Sequence, residues 1–340
     1  MKKYVIGIDG GGTKTHCMLF DIEGEFVDLI KAGTFGYEYL SHGYISLGKR
    51  MNKIVNSILE RNSIQKKNIV SCAIGLSGID TNYQKKCIAK IMDQIGFTRY
   101  ILCNDAYLGI KAMSGKGFGI CAINGTGYSV VGIDPEENTF QIGGSYELSG
   151  DFGGGRVMGK VVAAKTYESL YKIKRKTILQ EMMFDLLKIN DKCDYLDALI
   201  RKTENGDILI KDLVKLVFSA ADKNDGLALE ILSGMGQDYG RAINAIIREL
   251  NYKNCSEIPI VLAGSLFIKG SNKLAIEELT RIVKNANTDK KIEISVLNLH
   301  PVCGAIIWAL NNYYKDNRYF EKIVSDVNWN KVFNNIKMKG

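Results

Sequence analysis

Near-continuous apolar runs alternate along the chain with segments whose apolar residues fall at helical spacing. The run Tyr4–Ile8 meets Asp9, the glycines Gly10, Gly11 and Gly12, then Thr13, Lys14 and Thr15, and the apolar stretch "THCMLFD" follows directly. This pattern predicts strand, tight turn, strand: a β-hairpin with an acid at its entrance. Next, "SHGYISLGKRMNKIVNSILER" sets Leu47, Met51, Ile54, Val55, Ile58 and Leu59 on one helical face. "NIVSCAIGLSG" reads as a strand, and "NYQKKCIAKIMDQIG" as a helix with Cys87, Ile88, Ile91, Met92 and Ile95 on one face. "YILCND" is a strand and "AYLGIKAMSG" a helix. The middle, about Val157 to Asn251, is mostly helical. "IPIVLAGS" then reads as a strand ending in a small-residue turn, "NKLAIEELTRIVKNA" as a helix and "IEISVLN" as a strand. "PVCGAIIWALNNYYKD" is a closing helix with Pro301 at its start. The alternation predicts an α/β fold, a sheet covered by helices. The tail, "DNRYFEKIVSDVNWNKVFNNIKMKG", fits either an added helix or a dimer contact.

The first hairpin has a second copy. "GFGICAINGTGYSVVGID", Gly117 to Asp134, again runs from an apolar strand through Asn124 and a Gly/Thr turn to a strand closing on Asp. Internal repetition of this kind points to a duplicated chain. Neither copy is a P-loop, which needs G-x-x-x-x-G-K-[ST], nor a dinucleotide loop, which needs G-x-G-x-x-G and then a helix. Phosphate nevertheless suits both turns. Glycines at Gly10–Gly12, Gly125 and Gly127 let backbone N–H groups approach an anion. Thr13, Thr15 and Thr126 add hydroxyl donors, and Lys14 a cation. Asp9 cannot bind phosphate itself; it can hold Mg²⁺ through water, because Mg²⁺ keeps much of its hydration shell. Two such hairpins facing each other would grip one polyphosphate between two domains.

Composition narrows the classes. With 340 residues the chain can bury two cores. Hydrophobic content of 46% and charged content of 24% are ordinary for a globular protein. No apolar run reaches a membrane span, and the apolar stretch before Asp9 is too short for a signal peptide core. A cytoplasmic protein is expected. None of the eight cysteines forms a C-x-x-C pair, and most lie in apolar runs such as "VSCAIGL", which fits buried thiols in a reducing compartment rather than a zinc site. The net charge of +8 is scattered over helix faces, densest at "YKIKRKT", and no nucleic-acid motif accompanies it.

Asp105 ends the strand "YILCND" just before a helix, where ligands bind in open α/β sheets. It is either a catalytic carboxylate or simply an N-cap, a common role for Asp. Short motifs then recur in a recognisable order: "GIDGGGTKT", "GLSG" (Gly75–Gly78), "ND" (Asn104–Asp105), "GTG" (Gly125–Gly127), "GD" (Gly150–Asp151), "AGS" (Ala263–Ser265) and "PVCGA" (Pro301–Ala305). In this order they resemble the sugar kinases and ATPases of the actin-like, hexokinase-like superfamily. Within it, the chain looks most like the N-acetylglucosamine kinase group with its BadF/BadG/BcrA/BcrD-type ATPase relatives, over about Tyr4 to Lys315. The resemblance implies two actin-like (ribonuclease H-like) lobes with a central ATP cleft: 1–114, 115–300 with a helical insertion at about 157–251, and a C-terminal helix and tail, 301–340, packing back on the first lobe.

By the same resemblance ATP is the phosphoryl donor, Mg²⁺ its partner, and a sugar hydroxyl the acceptor, with Asp105 as the base. Gly264 and Ser265 would contact adenosine, unless they form an ordinary strand-to-helix turn. Asp151 would contact the sugar hydroxyls, unless it and its glycines only build the turn that opens the next helix. Gly144, Ser145, Tyr146 and Ser77 would complete the acceptor side. Family members are often dimers, so a homodimer acting on ATP and sugar, without nucleic acid or membrane, is expected. Three departures fall on the sugar side: Phe152 replaces an acid, Gly36 stands where an Asn is expected, and Tyr146 ends a Gly-Ser-Tyr in place of Gly-Trp-Gly. These departures touch the acceptor pocket and not the ATP side; the acceptor that the resemblance implies is N-acetylglucosamine or a relative, glucosamine or N-acetylmuramic acid. Two other readings attach to the superfamily. One is an ATPase that drives electrons into a dehydratase or reductase, which needs cysteines for an iron–sulfur cluster. The other is a non-catalytic sugar sensor, for which no DNA-binding segment precedes the hairpin at Tyr4.

Overall fold

The computed structural model describes residues 2–206 and 210–334. In chain order the elements are β1 (Tyr4–Gly10), β2 (Thr15–Asp21), β3 (Phe26–Ala32), α1 (Gly43–Arg61), β4 (Ile69–Leu76), α2 (Asn82–Ile95), β5 (Tyr100–Cys103) and α3 (Ala106–Met113). There follow β6 (Gly119–Asn124), β7 (Tyr128–Ile133) and β8 (Thr139–Ile142). Five helices come next: α4 (Gly155–Tyr171), α5 (Ile178–Leu187), α6 (Tyr195–Glu204), α7 (Ile210–Ala221) and α8 (Gly226–Glu249). The chain closes with β9 (Glu257–Ala263), α9 (Ser265–Lys269), α10 (Leu274–Ala286), β10 (Lys291–Val296), α11 (Pro301–Tyr314) and α12 (Trp329–Asn334). Two compact units result. One comprises Met1–Cys121, Val131–Thr139 and Leu297–Gly340; the other comprises Ala122–Val130 and Phe140–Val296.

Each of the two sheets has five strands. The first runs β3-β2-β1-β4-β5 and the second, read from its β8 edge, runs β8-β7-β6-β9-β10. The order is the same: a three-strand meander, then two strands reached by crossovers. This is the duplication that the two hairpins announce. In the first sheet β1 pairs antiparallel with β2 in a register that sets Asp9 opposite His16 and Gly10 opposite Thr15, while β4 and β5 run parallel to β1. In the second, β9 and β10 are parallel.

The helices follow their apolar stripes. On α1 the six residues at helical spacing, Leu47 to Leu59, are all buried. On α2 the buried face is Ile88, Ile91, Met92 and Ile95, closed by a Thr81–Gln84 capping box and a left-handed Gly96; Cys87, expected on that face, sits at its margin and is half-buried. The helix α3 is buried on nearly every side, as its uniform apolarity demands. At the tail, α12 packs on its own chain. Trp329 donates its indole N–H to the Ile323 carbonyl at 3.0 Å and lies 6.2 Å from Phe20, ring to ring, while Phe333 stacks on His300 at 3.6 Å. The tail residues beyond Asn334 lie outside the described residues.

Candidate active site

In the first unit the glycine turn is built by its own backbone. Gly11 N–H donates to the Lys14 carbonyl at 2.9 Å, and the Gly11 carbonyl accepts from Phe35 N–H and Thr34 Oγ1, both at 3.2 Å. Ser77 N–H donates to the Gly10 carbonyl at 2.9 Å, which brings the end of β4 against the same turn. Thr13 and Lys14 are exposed and Gly11 and Gly12 half-buried, so this turn is open to an anion. Thr15 is fully buried, and its hydroxyl has no hydrogen-bond partner.

Asp9 is 8% exposed at the foot of the turn. His16 Nδ1 lies 3.8 Å from its carboxylate and has no hydrogen-bond partner. His300, N-terminal to Pro301 of α11, stands 5.7 Å from His16 ring to ring. Burial, helped by the charges of His16 and Lys14, pushes the His300 imidazole down to about 4, so it is neutral near pH 7.

Asp105 occupies the N-cap position of α3, yet its side chain makes no capping hydrogen bond. Asn104 does that work: its Oδ1 accepts from Ala106 N–H at 2.9 Å, and its Nδ2 donates to Asp80 Oδ1 at 2.9 Å. The Asp105 carboxylate is thereby left for other use. Burial, then the negative charges of Asp9 and Asp80, push it up to about 8 against the partial offset of its own and the Ala106 N–H groups. A carboxylate so placed is a base strong enough to take a proton from a hydroxyl as that hydroxyl reacts. Among the described residues no group of three or more His, Cys, Asp and Glu can hold a metal directly. Asp9, bordering the open glycine turn, could hold a hydrated cation through water.

In the second unit three glycine segments meet. Gly155 and Arg156, opening α4, donate their N–H groups to the Gly125 and Thr126 carbonyls at 2.9 and 3.0 Å. A Cβ on Gly155 would lie 2.7 Å from the Gly125 carbonyl oxygen, so only glycine lets α4 abut the turn. Gly264, at φ +91°, has room for no Cβ either: it would meet the Asn124 carbonyl oxygen at 2.3 Å. The predicted residues Gly125, Thr126, Gly127, Gly264 and Ser265 are thus brought together, with Thr126 and Ser265 exposed. Asn124 is fully buried with its Oδ1 unpartnered.

Asp151 is 1% exposed, and its carboxylate accepts from Gly144 N–H at 3.0 Å, Tyr146 N–H at 2.7 Å and Ser149 Oγ at 2.7 Å. It holds the Gly144–Ser145–Tyr146 segment, where Tyr146 takes the left-handed φ of +53°. Phe152 and Leu148 are exposed beside it, and the Arg156 guanidinium lies 4.7 Å over the Tyr146 ring. Gly36, on the other unit, opens the short turn that places Tyr39 against Gly12. Sequence reasoning missed His16, although the hairpin register alone sets it opposite Asp9. It also missed the capping by Asn104, although Asn is a favoured capping residue and stands two positions before Ala106, and it missed Asp80, for which no local signal exists.

Two five-stranded sheets of one strand order, each with a glycine turn at its central hairpin, define an actin-like ATPase architecture. The chain belongs to the BadF/BadG/BcrA/BcrD ATPase family, whose pattern it matches over residues 6–309. It is 28% identical to an N-acetylmuramic acid/N-acetylglucosamine kinase of Clostridium acetobutylicum, over 90% of this chain and 98% of that protein. It is 26% identical to the N-acetyl-D-glucosamine kinase of Dictyostelium discoideum, over 92% and 99%. Among solved structures, a candidate N-acetylglucosamine kinase from Chromobacterium violaceum superposes with a TM-score of 0.63 at 22% identity, covering 91% of this chain and 99% of that one. A ROK family glucokinase from Streptomyces griseus, solved with glucose and AMPPNP, gives 0.53 at 14% identity, covering 90% and 99%. These structures share the fold. No helix among the described residues is long and apolar enough to cross a membrane.

Proposed function

We propose that this protein is an ATP-dependent kinase that transfers the γ-phosphoryl group of ATP to a hydroxyl of an amino sugar, N-acetylglucosamine or a relative such as glucosamine or N-acetylmuramic acid. The observation that carries the reading is Asp105. It ends β5 at the edge of the glycine-turn unit, its capping duty is taken by Asn104, and its basicity is raised by burial and by Asp9. Family membership and the names of the relatives point the same way.

Asp105 accepts the proton of the sugar hydroxyl as its oxygen attacks the γ-phosphorus and ADP departs. Most of the rate enhancement comes from alignment and charge stabilisation. Gly10, Gly11 and Gly12 with Thr13, Lys14 and Thr15, whose buried hydroxyl is unpartnered, offer backbone, hydroxyl and ammonium donors to phosphate oxygens. Gly125, Thr126 and Gly127 do the same in the second unit, where Gly264 and Ser265 border the nucleotide. Mg²⁺ fits at Asp9 through water; when bound it neutralises phosphate charge. On the acceptor side Asp151 contacts the sugar hydroxyls and holds Gly144 and Tyr146 in place through their N–H groups, and Ser145 and Ser77 are further acceptor-side residues. The enzyme works in the cytoplasm as a homodimer on ATP and free sugar.

The test is ADP release with ATP and Mg²⁺ across N-acetylglucosamine, glucosamine, N-acetylmannosamine, N-acetylmuramic acid and glucose. Strong stimulation by one of the amino sugars establishes the kinase and names its acceptor. Slow release that no sugar stimulates overturns these acceptors and leaves ATP-driven electron delivery or an acceptor outside the panel. The cysteines speak against that alternative: Cys17, Cys72, Cys103, Cys121 and Cys303 are buried.

A further inference from the structure

Arg156 stands in the first turn of α4, where the helix dipole opposes a cation, and no acid shares that turn. The helix end does not call for it. The N–H groups of Gly155 and Arg156 already donate to the Gly125 and Thr126 carbonyls. A guanidinium carries five N–H donors in a planar fork. Among the described residues no carboxylate or carbonyl accepts from the fork of Arg156, whose one close neighbour is the ring of Tyr146. The acids nearest in the chain are engaged elsewhere. Glu147 accepts from the Lys160 ammonium, and Arg156 acts on it only through its charge. Asp151 accepts from the Gly144 and Tyr146 N–H groups and the Ser149 hydroxyl.

The fork is held in place all the same. It lies 4.7 Å over the Tyr146 ring, a contact that orients a guanidinium and leaves its N–H edge to a ligand. Tyr146 takes a left-handed φ of +53°, uncommon for an aromatic residue. Asp151, 1% exposed, keeps it there through its N–H. A strained residue fixed by a buried carboxylate is a built platform, and this one belongs to the acceptor-side segment. We propose that Arg156 is a specificity-determining residue, whose guanidinium takes a carboxylate borne by the acceptor sugar through a forked pair of hydrogen bonds. Of the candidate acceptors, N-acetylmuramic acid carries such a group, on its lactyl ether; N-acetylglucosamine and glucosamine do not. The inference rests on the amino-sugar kinase reading and narrows it to an acidic amino sugar. The phosphates of ATP are the rival anion. The ring contact favours the acceptor, because only the backbone N–H of Arg156 joins the Gly125–Gly127 turn.

The test compares kcat/KM for N-acetylmuramic acid and N-acetylglucosamine in the parent and in Arg156→Met, which keeps an unbranched stem over Tyr146 and loses the charge. The ratio of the two constants should shift by about tenfold or more toward N-acetylglucosamine. Arg156→Lys, a point charge without the fork, should restore part of it. An unchanged ratio overturns the inference; where it comes with weaker binding of an ATP analogue by calorimetry, the guanidinium serves the nucleotide instead. Should Arg156→Met misfold, the parent is assayed with N-acetylmuramic acid and with its methyl ester, in which the carboxylate is masked. A preference of about tenfold for the free acid is expected, and equal constants overturn the inference. A parent that phosphorylates N-acetylglucosamine and not N-acetylmuramic acid overturns the inference alone. One that phosphorylates neither removes the amino-sugar reading, and the inference falls with it.

Discussion

At the scale of single residues, Asp105 carries the strongest expectations. Asp105→Asn keeps the size and loses the basicity. It should lower kcat by about a hundredfold or more, the usual share of a general base, while the affinity for an ATP analogue, measured by calorimetry, stays unchanged. The pH dependence has a definite sign. The free protein holds Asp105 up at about 8, so kcat/KM should fall as pH drops below that value. A cation beside Asp9 removes one source of the rise, so the corresponding limb in kcat should lie at lower pH. Stability follows the opposite course. A carboxyl whose folded value is raised binds more protons folded than unfolded, so its contribution is intact below the ordinary value near 4 and is lost as pH climbs through about 8. In the absence of ligands, Asp105→Asn should therefore melt higher than the parent at pH 9, with the difference shrinking toward pH 5. Identical melting curves across that range would remove the case for a strained carboxylate. The sequence placed Asp105 at a strand end and left open whether it capped a helix. Only the Asn104 side chain, reaching back to Ala106 N–H, decides that it does not.

At the scale of elements, close approach sets the second glycine turn. Gly264→Ala would force alanine into an extended positive-φ backbone that is essentially reserved for glycine, a cost of roughly 1–3 kcal/mol, and drive its Cβ into the Asn124 carbonyl. Denaturant unfolding should register a loss of at least about 2 kcal/mol for the two effects together. Gly155→Ala should act locally, pushing α4 off the Gly125 carbonyl; the expected outcome is a raised KM for ATP with far-UV dichroism unchanged. Away from the site, Asp225 caps α8 through Leu227 and Ala228 N–H and also accepts from Thr177 Oγ1 and Ile178 N–H. It therefore joins two helices, and Asp225→Ala should cost about 2 kcal/mol, at the upper end for a cap. The "GGG" after Asp151 is visible in the sequence as a helix opening. Its need to be glycine is not, because the carbonyl it must clear belongs to a turn far away in the chain.

At the scale of the whole molecule, the repeated strand order is the main result. The two hairpins announce it, since each is a local period-2 pattern closed by glycine. The helices α1, α2, α10 and α11 are equally legible, because each carries one apolar stripe. The tail is different. Its reading as an added helix is met by α12, with Trp329 against Phe20 and Phe333 against His300 and His16. Ending the chain at Val327 should expose those rings and lower the melting temperature by several degrees, of the order expected for losing one or two aromatic contacts. An unchanged melting temperature would show that the helix adds nothing to the first unit.

By itself, the sequence determined the α/β class, the duplicated hairpins, their glycine turns and the acid at the end of β5. All of these rest on neighbours in the chain: periodicity, turn chemistry and strand ends. The tertiary structure alone decided which carboxylates are free and which are spent. Asp105 and Asp151 both follow a short polar motif, yet one is relieved of capping by Asn104 and held up by Asp9, and the other is consumed by Gly144, Tyr146 and Ser149. Burial and electrostatic neighbourhood are properties of distance in space, and residues remote in sequence set them.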